Sequence, residues 1–123
     1  MEQRIFYVVI IENGQKRTES IAVEFPFSWK ATEVARKAYP EAEFVGALIT
    51  NWDAEEHFYN EVGLGRNQRA RFPADLCNWR PDEPFRGCYD TVVIENRHNG
   101  SYIKSYKAVL NEHRTEILRW ERC

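Results

Sequence analysis

Cysteine is scarce in this chain, and its spacing matches no metal-binding pattern. The three cysteines are Cys77, Cys88 and Cys123, and none belongs to a CxxC pair. An odd number of cysteines with this spacing argues against a disulfide framework or a zinc knuckle. We interpret all three as reduced thiols. The alternative is a Cys77–Cys88 bridge in an oxidising compartment.

The chain also lacks an excess of either charge and any long apolar run. It has 17 Lys and Arg against 19 Asp and Glu, so its formal net charge is -2. That balance is too near neutral to predict a nucleic-acid or membrane partner from bulk charge. No apolar run is long enough to cross a bilayer, and the N-terminus has no basic-then-apolar leader. We therefore expect a soluble, cytoplasmic protein without a membrane partner.

Motifs for catalysis, metals and cofactors are equally sparse. His57, His98 and His113 share no metal-ligand spacing. Gly63-Leu64-Gly65 lacks the lysine of a P-loop and the third glycine of a dinucleotide fingerprint, and a turn is the more ordinary interpretation. Cys88 follows a glycine and precedes a strand, but cysteines are more often buried and structural than nucleophilic. We predict no catalytic residue, no metal and no cofactor.

The first half of the chain has clear apolar patterning. Arg4–Glu12 is apolar on both faces, as an interior strand would be. Asn13-Gly14 predicts a two-residue type I′ turn, because both positions need positive φ. A second strand, Lys16–Phe25, alternates as an edge strand does. This turn sets Phe6 opposite Ile21 and Arg4 opposite Val23.

A helix and a third strand complete this half. Ser28 is the predicted N-cap of a helix to about Ala38, because its side-chain oxygen can accept from an unpaired amide. Pro40 ends that helix, and Ala42–Ile49 is the third strand. If the first strand is interior, the helix crosses it, which gives a split β-α-β unit with sheet order 2-1-3 and a right-handed crossover.

The last part of the chain predicts a second hairpin. Asp90–Arg97 and Ser101–Val109 flank Asn99-Gly100, and pairing through this turn sets Glu95 opposite Lys104 and Val93 opposite Tyr106. A helix capped by Ser101 is the alternative. Residues 111–123 are ambiguous between strand and helix; we favour a last strand that carries Leu118 and Trp120 inward.

The stretch between these halves, residues 51–88, has no clear period. It reads as a long insertion containing Trp, Arg and Pro, with a short helix near Asp53–Val62 and one further helical turn over Ala74–Trp79. For residues 1–123 we expect a single α+β domain. We predict a mostly antiparallel sheet of five or six strands with one main helix on one face.

The function hypotheses rest on the insertion. We predict a small non-catalytic binding protein, an inhibitor or accessory factor of the kind carried by mobile elements, whose partner is another protein. The predicted contacts combine aromatic and guanidinium side chains, which are common in interface hot spots. These are Trp52, Arg66, Arg69, Arg71, Trp79 and Arg86.

Three alternatives remain open. Single-stranded nucleic acid could bind the Arg66–Arg71 stretch, where no acid interrupts the arginines. A small enzyme could use Cys88 or a histidine. The same arginines could instead form surface ion pairs with Glu55, Glu56 and Glu61, which would give the stretch no binding role.

Overall fold

The structure is a computed structural model that describes residues 3–25, 27–72 and 91–123. It has an α+β fold with two antiparallel sheets and two helices, which confirms the predicted fold class. The elements, in chain order, are β1 (Arg4–Glu12), β2 (Gln15–Val23), α1 (Ser28–Ala38), β3 (Phe44–Ala47), α2 (Asn51–Glu61), β4 (Gln68–Arg71), β5 (Thr91–Asn96), β6 (Tyr102–Leu110) and β7 (Ile117–Arg122).

The first sheet has the predicted strand order, β2-β1-β3. Phe6 lies opposite Ile21 and Arg4 opposite Val23, as the two-residue turn requires. Asn13 and Gly14 have φ values of 52° and 75°, which is the pair of positive values that this turn needs. The local sequence at the first hairpin therefore fixes its register.

Strand β1 is buried on both faces, as its apolar pattern indicates. Phe6, Val8 and Ile10 pack against Ala31 and Ala35 of α1 in one core. On the other face, Val9 belongs to a second core that also contains α2 and the second sheet. The first sheet thus lies between α1 on one face and the rest of the fold on the other.

The start of α1 differs from the prediction. Ser28 is the first helical residue and not the N-cap, since Phe27 holds that position without a side-chain hydrogen bond. The backbone amide of Ser28 donates to Oδ1 of Asp53 over 2.9 Å. A carboxylate from α2 therefore takes the capping role that the sequence assigned to the Ser28 hydroxyl.

The second sheet has the order β4-β5-β6-β7, and α2 covers one of its faces. Phe58 of α2 is fully buried, and its ring meets the rings of Phe72, Tyr106 and Trp120 edge-on. The described chain has seven strands in two sheets, where the sequence predicted one sheet of five or six strands. Strand β4 lies within the stretch read as an insertion, and its Gln-Arg-Ala-Arg sequence carries no β-branched residue to signal a strand.

The second hairpin has another register than predicted. Lys104 lies opposite Ile94, and Glu95 lies opposite Tyr102. Asn96 causes the difference: its side-chain oxygen accepts the backbone amides of His98 and Asn99. The loop therefore closes over four residues, 97–100, and the predicted Glu95–Lys104 and Val93–Tyr106 pairs are wrong.

The end of the chain forms the favoured last strand, β7. Trp120 packs against the second core, as predicted. Leu118 is 52% exposed, so its predicted inward position is wrong. Ile117 is the buried residue instead, because the pairing of β6 with β7 shifts between Val109 and Leu110. Neither described helix has the length and apolarity needed to span a membrane.

Candidate binding face on the second sheet

The predicted contact residues are distributed over several parts of the chain. Arg69 and Arg71 lie on β4, and Arg66 lies in the exposed turn before that strand. Trp52 lies on α2. The remaining two, Trp79 and Arg86, fall outside the described residues. So do the helical turn predicted over residues 74–79 and both Cys77 and Cys88.

The glycine-containing stretch after α2 forms a turn that leads into β4. Gly63, with φ of 73°, ends the helix, and its amide donates to the carbonyl of Phe58. The amide of Gly65 donates to the side chain of Gln68 over 2.8 Å. Because Gln68 already accepts the hydrogen bond from this amide, the geometry fits the turn that the sequence favoured over a phosphate loop.

The loop that joins β5 to β6 is tied down at the start of β4. The backbone carbonyl of Asn67 accepts a hydrogen bond from the amide of Arg97. The side-chain oxygen of Asn67 is 3.1 Å from Nε2 of His98. Asn67 has a φ of 62°, a conformation that asparagine tolerates better than most residues. The hairpin loop and the start of β4 therefore hold each other in register.

Strand alternation places Arg69 and Arg71 on the face of the second sheet that α2 leaves open. Their neighbours Ala70 and Phe72 pack inward against the second core. Across the sheet, Arg69 lies opposite Glu95, and Arg71 lies opposite Val93. We call this surface the outer face. It comprises Arg69 and Arg71 of β4; Thr91, Val93 and Glu95 of β5; Tyr102, Ser105, Lys107 and Val109 of β6; and Arg119 and Glu121 of β7.

Glu95 is the centre of an ion-pair network on this face. Its Oε1 accepts from Nε of Arg69 at 2.6 Å, and its Oε2 is 3.5 Å from Nη1 of Arg71. The Glu95 side chain is only 5% exposed, while those of Arg69 and Arg71 are 54% and 72% exposed. The carboxylate therefore fixes two arginines whose outer surfaces remain open to solvent.

The hydrogen bond from Arg69 is the main cause of a lowered pKa at Glu95, with smaller contributions from the charges of Arg69 and Arg71. Desolvation acts in the opposite direction, but it does not outweigh them. Glu95 is thus held as a carboxylate. The sequence-based alternative paired the arginines with Glu55, Glu56 and Glu61. It predicted ion pairing correctly but named the wrong acids for Arg69 and Arg71.

The rest of the outer face mixes cations with apolar and hydroxyl groups. Tyr102 is 62% exposed, and its hydroxyl is 3.2 Å from Oγ of the buried Ser105. At the opposite edge, Arg119 donates from Nε and Nη2 to Oε1 of Glu121. Among the described residues, this face has four basic side chains and two carboxylates, on a chain whose formal net charge is negative. Sequence reasoning missed Glu95, Tyr102, Lys107 and Arg119.

Trp52 belongs to another surface. This residue is 46% exposed, and the guanidinium of Arg4 lies over its ring at 4.8 Å from the centroid. Helix α2, which carries Trp52, packs on the inner face of the second sheet. The structure therefore brings Arg69 and Arg71 together and leaves Trp52 on the other side of that sheet.

The histidines have separate partners. Nε1 of Trp120 donates to Nδ1 of His57 over 2.9 Å. His98 contacts Asn67, and His113 packs at 4.7 Å from the ring of Phe44. Within residues 3–25, 27–72 and 91–123, no group of three or more His, Cys, Asp or Glu side chains is arranged to hold a metal.

The comparisons with known proteins identify no family for this chain. No protein-family model matches the chain, and neither the curated proteins nor the solved structures contain a match.

Proposed function

We propose that this chain is a small non-catalytic binding protein that uses the outer face to bind an acidic surface of another protein. An inhibitor or accessory factor would act in this way. The observation that carries the proposal is the asymmetry of the second sheet. Helix α2 and the second core close its inner face, while the outer face presents partly exposed arginines around a buried carboxylate.

The network around Glu95 supports binding because it orders the arginines before any partner arrives. An arginine side chain loses rotamer freedom when it is fixed at an interface, at a cost of about 0.5–1.5 kcal/mol. The 2.6 Å contact with Glu95 already restricts Arg69 in this chain. Both arginines keep half or more of their side-chain surface open. Arg and Tyr are among the residue types enriched in hot spots, and Tyr102 lies across the sheet from Glu95.

The same network favours a protein over single-stranded nucleic acid. Glu95 and Glu121 interrupt the basic residues of the outer face, and each is paired with an arginine, so the face offers no continuous row of cations to a phosphate backbone. The chain as a whole has no basic excess. A folded partner with spaced carboxylates and apolar atoms between them matches the exposed Arg71 beside the half-buried Val93 better than a continuous row of phosphates does.

A capture experiment with matched variants tests the proposal. The tagged wild-type chain, Arg71→Glu and Tyr102→Ala are each used to capture partners from native cells, followed by mass spectrometry. Arg17→Glu is the control, because Arg17 is an exposed, ion-paired arginine on β2 of the first sheet. We expect a protein that the wild type and Arg17→Glu retain and the other two lose, with affinity lowered at least about tenfold.

Two outcomes would contradict the proposal. One is a partner that Arg71→Glu and Tyr102→Ala bind as tightly as the wild type, with melting curves showing that both are folded. The other is binding of a single-stranded oligonucleotide that falls steeply with salt and disappears in Arg71→Glu, which would assign the face to nucleic acid.

A further inference from the structure

Strand β2 has the one long and regular free edge among the described strands. The first sheet ends at β2 and β3, and the second sheet ends at β4 and β7. β3 and β4 have four residues each, and the amide of Ala47 in β3 donates to Oγ1 of Thr32 over 2.9 Å. The pairing of β7 shifts between Val109 and Leu110, whereas β2 pairs with β1 over nine residues without a shift. Because short or irregular edges resist the addition of another strand, β2 is the edge best suited to accept one.

The backbone of β2 presents unpaired hydrogen-bonding groups along this edge. On the other side of β1, the carbonyl of Tyr7 accepts the amide of Leu48, just after β3. The carbonyl of Ile11 accepts the amide of Glu43, just before β3. Since antiparallel strands bond through alternate residues, the β2 residues opposite these positions of β1 direct their amides and carbonyls away from the hairpin. These outward-facing residues are Lys16, Thr18, Ser20 and Ala22.

The charged side chains of β2 are self-complementary about Thr18. Arg17 and Glu19 lie on one face of the strand, where Nε of Arg17 donates to Oε1 of Glu19 over 3.2 Å. A second copy that pairs antiparallel about Thr18 sets Arg17 of each chain opposite Glu19 of the other. Opposite charges directly across two strands stabilise their pairing, and like charges destabilise it. Pairing centred on Arg17 or on Glu19 would instead set two like charges opposite each other.

The backbone pattern fits the same centre. Because Thr18 faces outward, the Thr18 residues of two copies form a hydrogen-bonded pair, and Lys16 forms another with Ser20 on either side. Arg17 and Glu19 then occupy non-hydrogen-bonded pairs, in which Cα atoms are only about 4.5 Å apart and side chains approach closely. The Arg17 and Glu19 side chains are 40% and 44% exposed, so they can reach a second copy. The four charged side chains of two copies therefore alternate in sign around the two-fold axis.

We propose that β2 is a homodimer interface, in which a second copy of this chain extends the first sheet to six strands in the order β3-β1-β2-β2-β1-β3. The contact is isologous and closed, because pairing uses the β2 edge of both copies. The short β3 strands at either end of the joined sheet resist further addition. The β2 edge is on the first sheet and the outer face is on the second, so this inference does not rest on the proposed function.

Complementary charge reversal tests the interface. Arg17→Glu sets two glutamates opposite each other in a homodimer, and Glu19→Arg sets two arginines opposite each other. Because each dimer contains the pair twice, we expect either variant alone to dimerise at least about tenfold more weakly than the wild type. An equimolar mixture of the two variants restores both opposite-charge pairs and should recover the dimer. Analytical ultracentrifugation over a range of chain concentrations at low salt measures these equilibria.

A control and a folding test accompany the variants. Lys37→Glu is the matched control, because Lys37 is an exposed, ion-paired cation on α1, and it should dimerise as the wild type does. Arg17→Glu removes the contacts of Arg17 with Glu12 and Glu19 within the chain. Melting curves therefore show whether this variant is folded at the temperature of the measurement.

Amide hydrogen exchange locates the interface in the wild-type chain. The amides of Lys16, Thr18 and Ser20 should exchange more slowly as the chain concentration rises, because a second copy pairs with them. The amides of Arg17 and Glu19 bond within the hairpin and should change less. This measurement needs no variant, so it decides the question even where a charge reversal unfolds the chain.

Three results would overturn the inference. The first is a wild-type chain that stays monomeric at every concentration, with no change in exchange along β2. The second is a mixture of Arg17→Glu and Glu19→Arg, both folded, that forms no dimer. The third is a dimer of equal affinity in the wild type and both variants, which would assign self-association to another surface. A folded Arg17→Glu that loses the dimer but still captures a protein would separate this edge from the outer face.

Discussion

Strands β1 and β5 share the sequence Val-Val-Ile, yet among the described residues only β1 is covered on both faces. β1 contains Val8-Val9-Ile10, and β5 contains Val92-Val93-Ile94. Val8 and Val92 are both fully buried. On the opposite faces, Val9 is 3% exposed and packs in the second core, whereas Val93 lies half-buried on the outer face.

The difference lies in the next residues along each strand and in the elements that pack on them. Ile11 continues the apolar surface of β1, while β5 continues with Glu95. A carboxylate on the outer face needs cations beside it, and β4 supplies Arg69 and Arg71. One strand therefore serves only packing. Strand β5 has one face packed in the second core and one face with polar, ordered side chains that are partly exposed.

Truncating Phe58 tests which element closes the inner face of β5. Phe58→Ala should lower the free energy of unfolding by about 3–5 kcal/mol, because this fully buried ring meets several other aromatic rings. Urea unfolding measures the loss. Tyr59→Ala is the control, since Tyr59 is the next residue and is 48% exposed. Equal losses in the two variants would mean that α2 is not the cover of this face.

Placing a hydroxyl on each strand tests the comparison directly. Val9→Thr buries an unpaired hydroxyl group in the second core and should cost about 1–3 kcal/mol of unfolding free energy. Val93→Thr places the same group on the open outer face, where the change should stay within about 0.5 kcal/mol. Chemical unfolding of both variants gives the two values. A cost at Val93 as large as that at Val9 would show that the outer face is covered in solution.

Adding a methyl group at Gly46 tests how closely the β6–β7 loop packs on the first sheet. Gly46→Ala should lower the unfolding free energy by about 1–3 kcal/mol, because its Cβ would approach Thr115 and Phe44. Thr115→Ser removes the nearest methyl group and should restore part of the loss in the double variant. Gly65→Ala is a milder control, because its Cβ would meet the flexible end of Gln68. No difference between the two glycine variants would contradict close packing of the loop.

Neutralising Glu95 tests the outer face itself, with the smallest expected change in stability. The pKa of Glu95 is lowered from 4.5 in the folded chain, so its ion pairs stabilise the fold above that value. This stability is lost as the pH falls through the lowered pKa. Glu95→Gln should therefore be less stable than the wild type at neutral pH, and the gap should narrow in acid. Thermal melts across this range measure it; a gap that stays constant or widens in acid would argue against the network.

The sequence-based prediction succeeded where local chemistry decides the structure. Asn13-Gly14 adopts the two positive φ values of a two-residue turn, and the first hairpin has the register that this turn predicts. The same dipeptide at Asn99-Gly100 does not form a two-residue turn, because Asn96 binds the loop amides from outside the dipeptide. The apolarity of both faces of β1 likewise predicted the order of the first sheet.

The candidate face was only partly visible in the sequence. The sequence predicted these arginines as contact residues because no acid interrupts Arg66–Arg71. Their partner Glu95 is 26 residues from Arg69, on a strand whose cross-strand neighbours depend on the loop that Asn96 shapes. Tyr102 and Arg119 reach the same face only through the pairing of four strands. No local pattern brings these residues together, so tertiary structure was needed to define the surface.

A single carboxylate joins the starts of both helices. Oδ2 of Asp53 accepts the amide and the hydroxyl of Thr50 at the start of α2, and Oδ1 accepts the amide of Ser28 at the start of α1. When the first turn of α1 opens, Asp53 loses its hydrogen bond from the amide of Ser28, and the Asp53 carboxylate also caps α2. Residues packed on opposite faces of β1 should therefore exchange their amide hydrogens as one cooperative unit. Asp53→Ala would divide that unit into two that open independently.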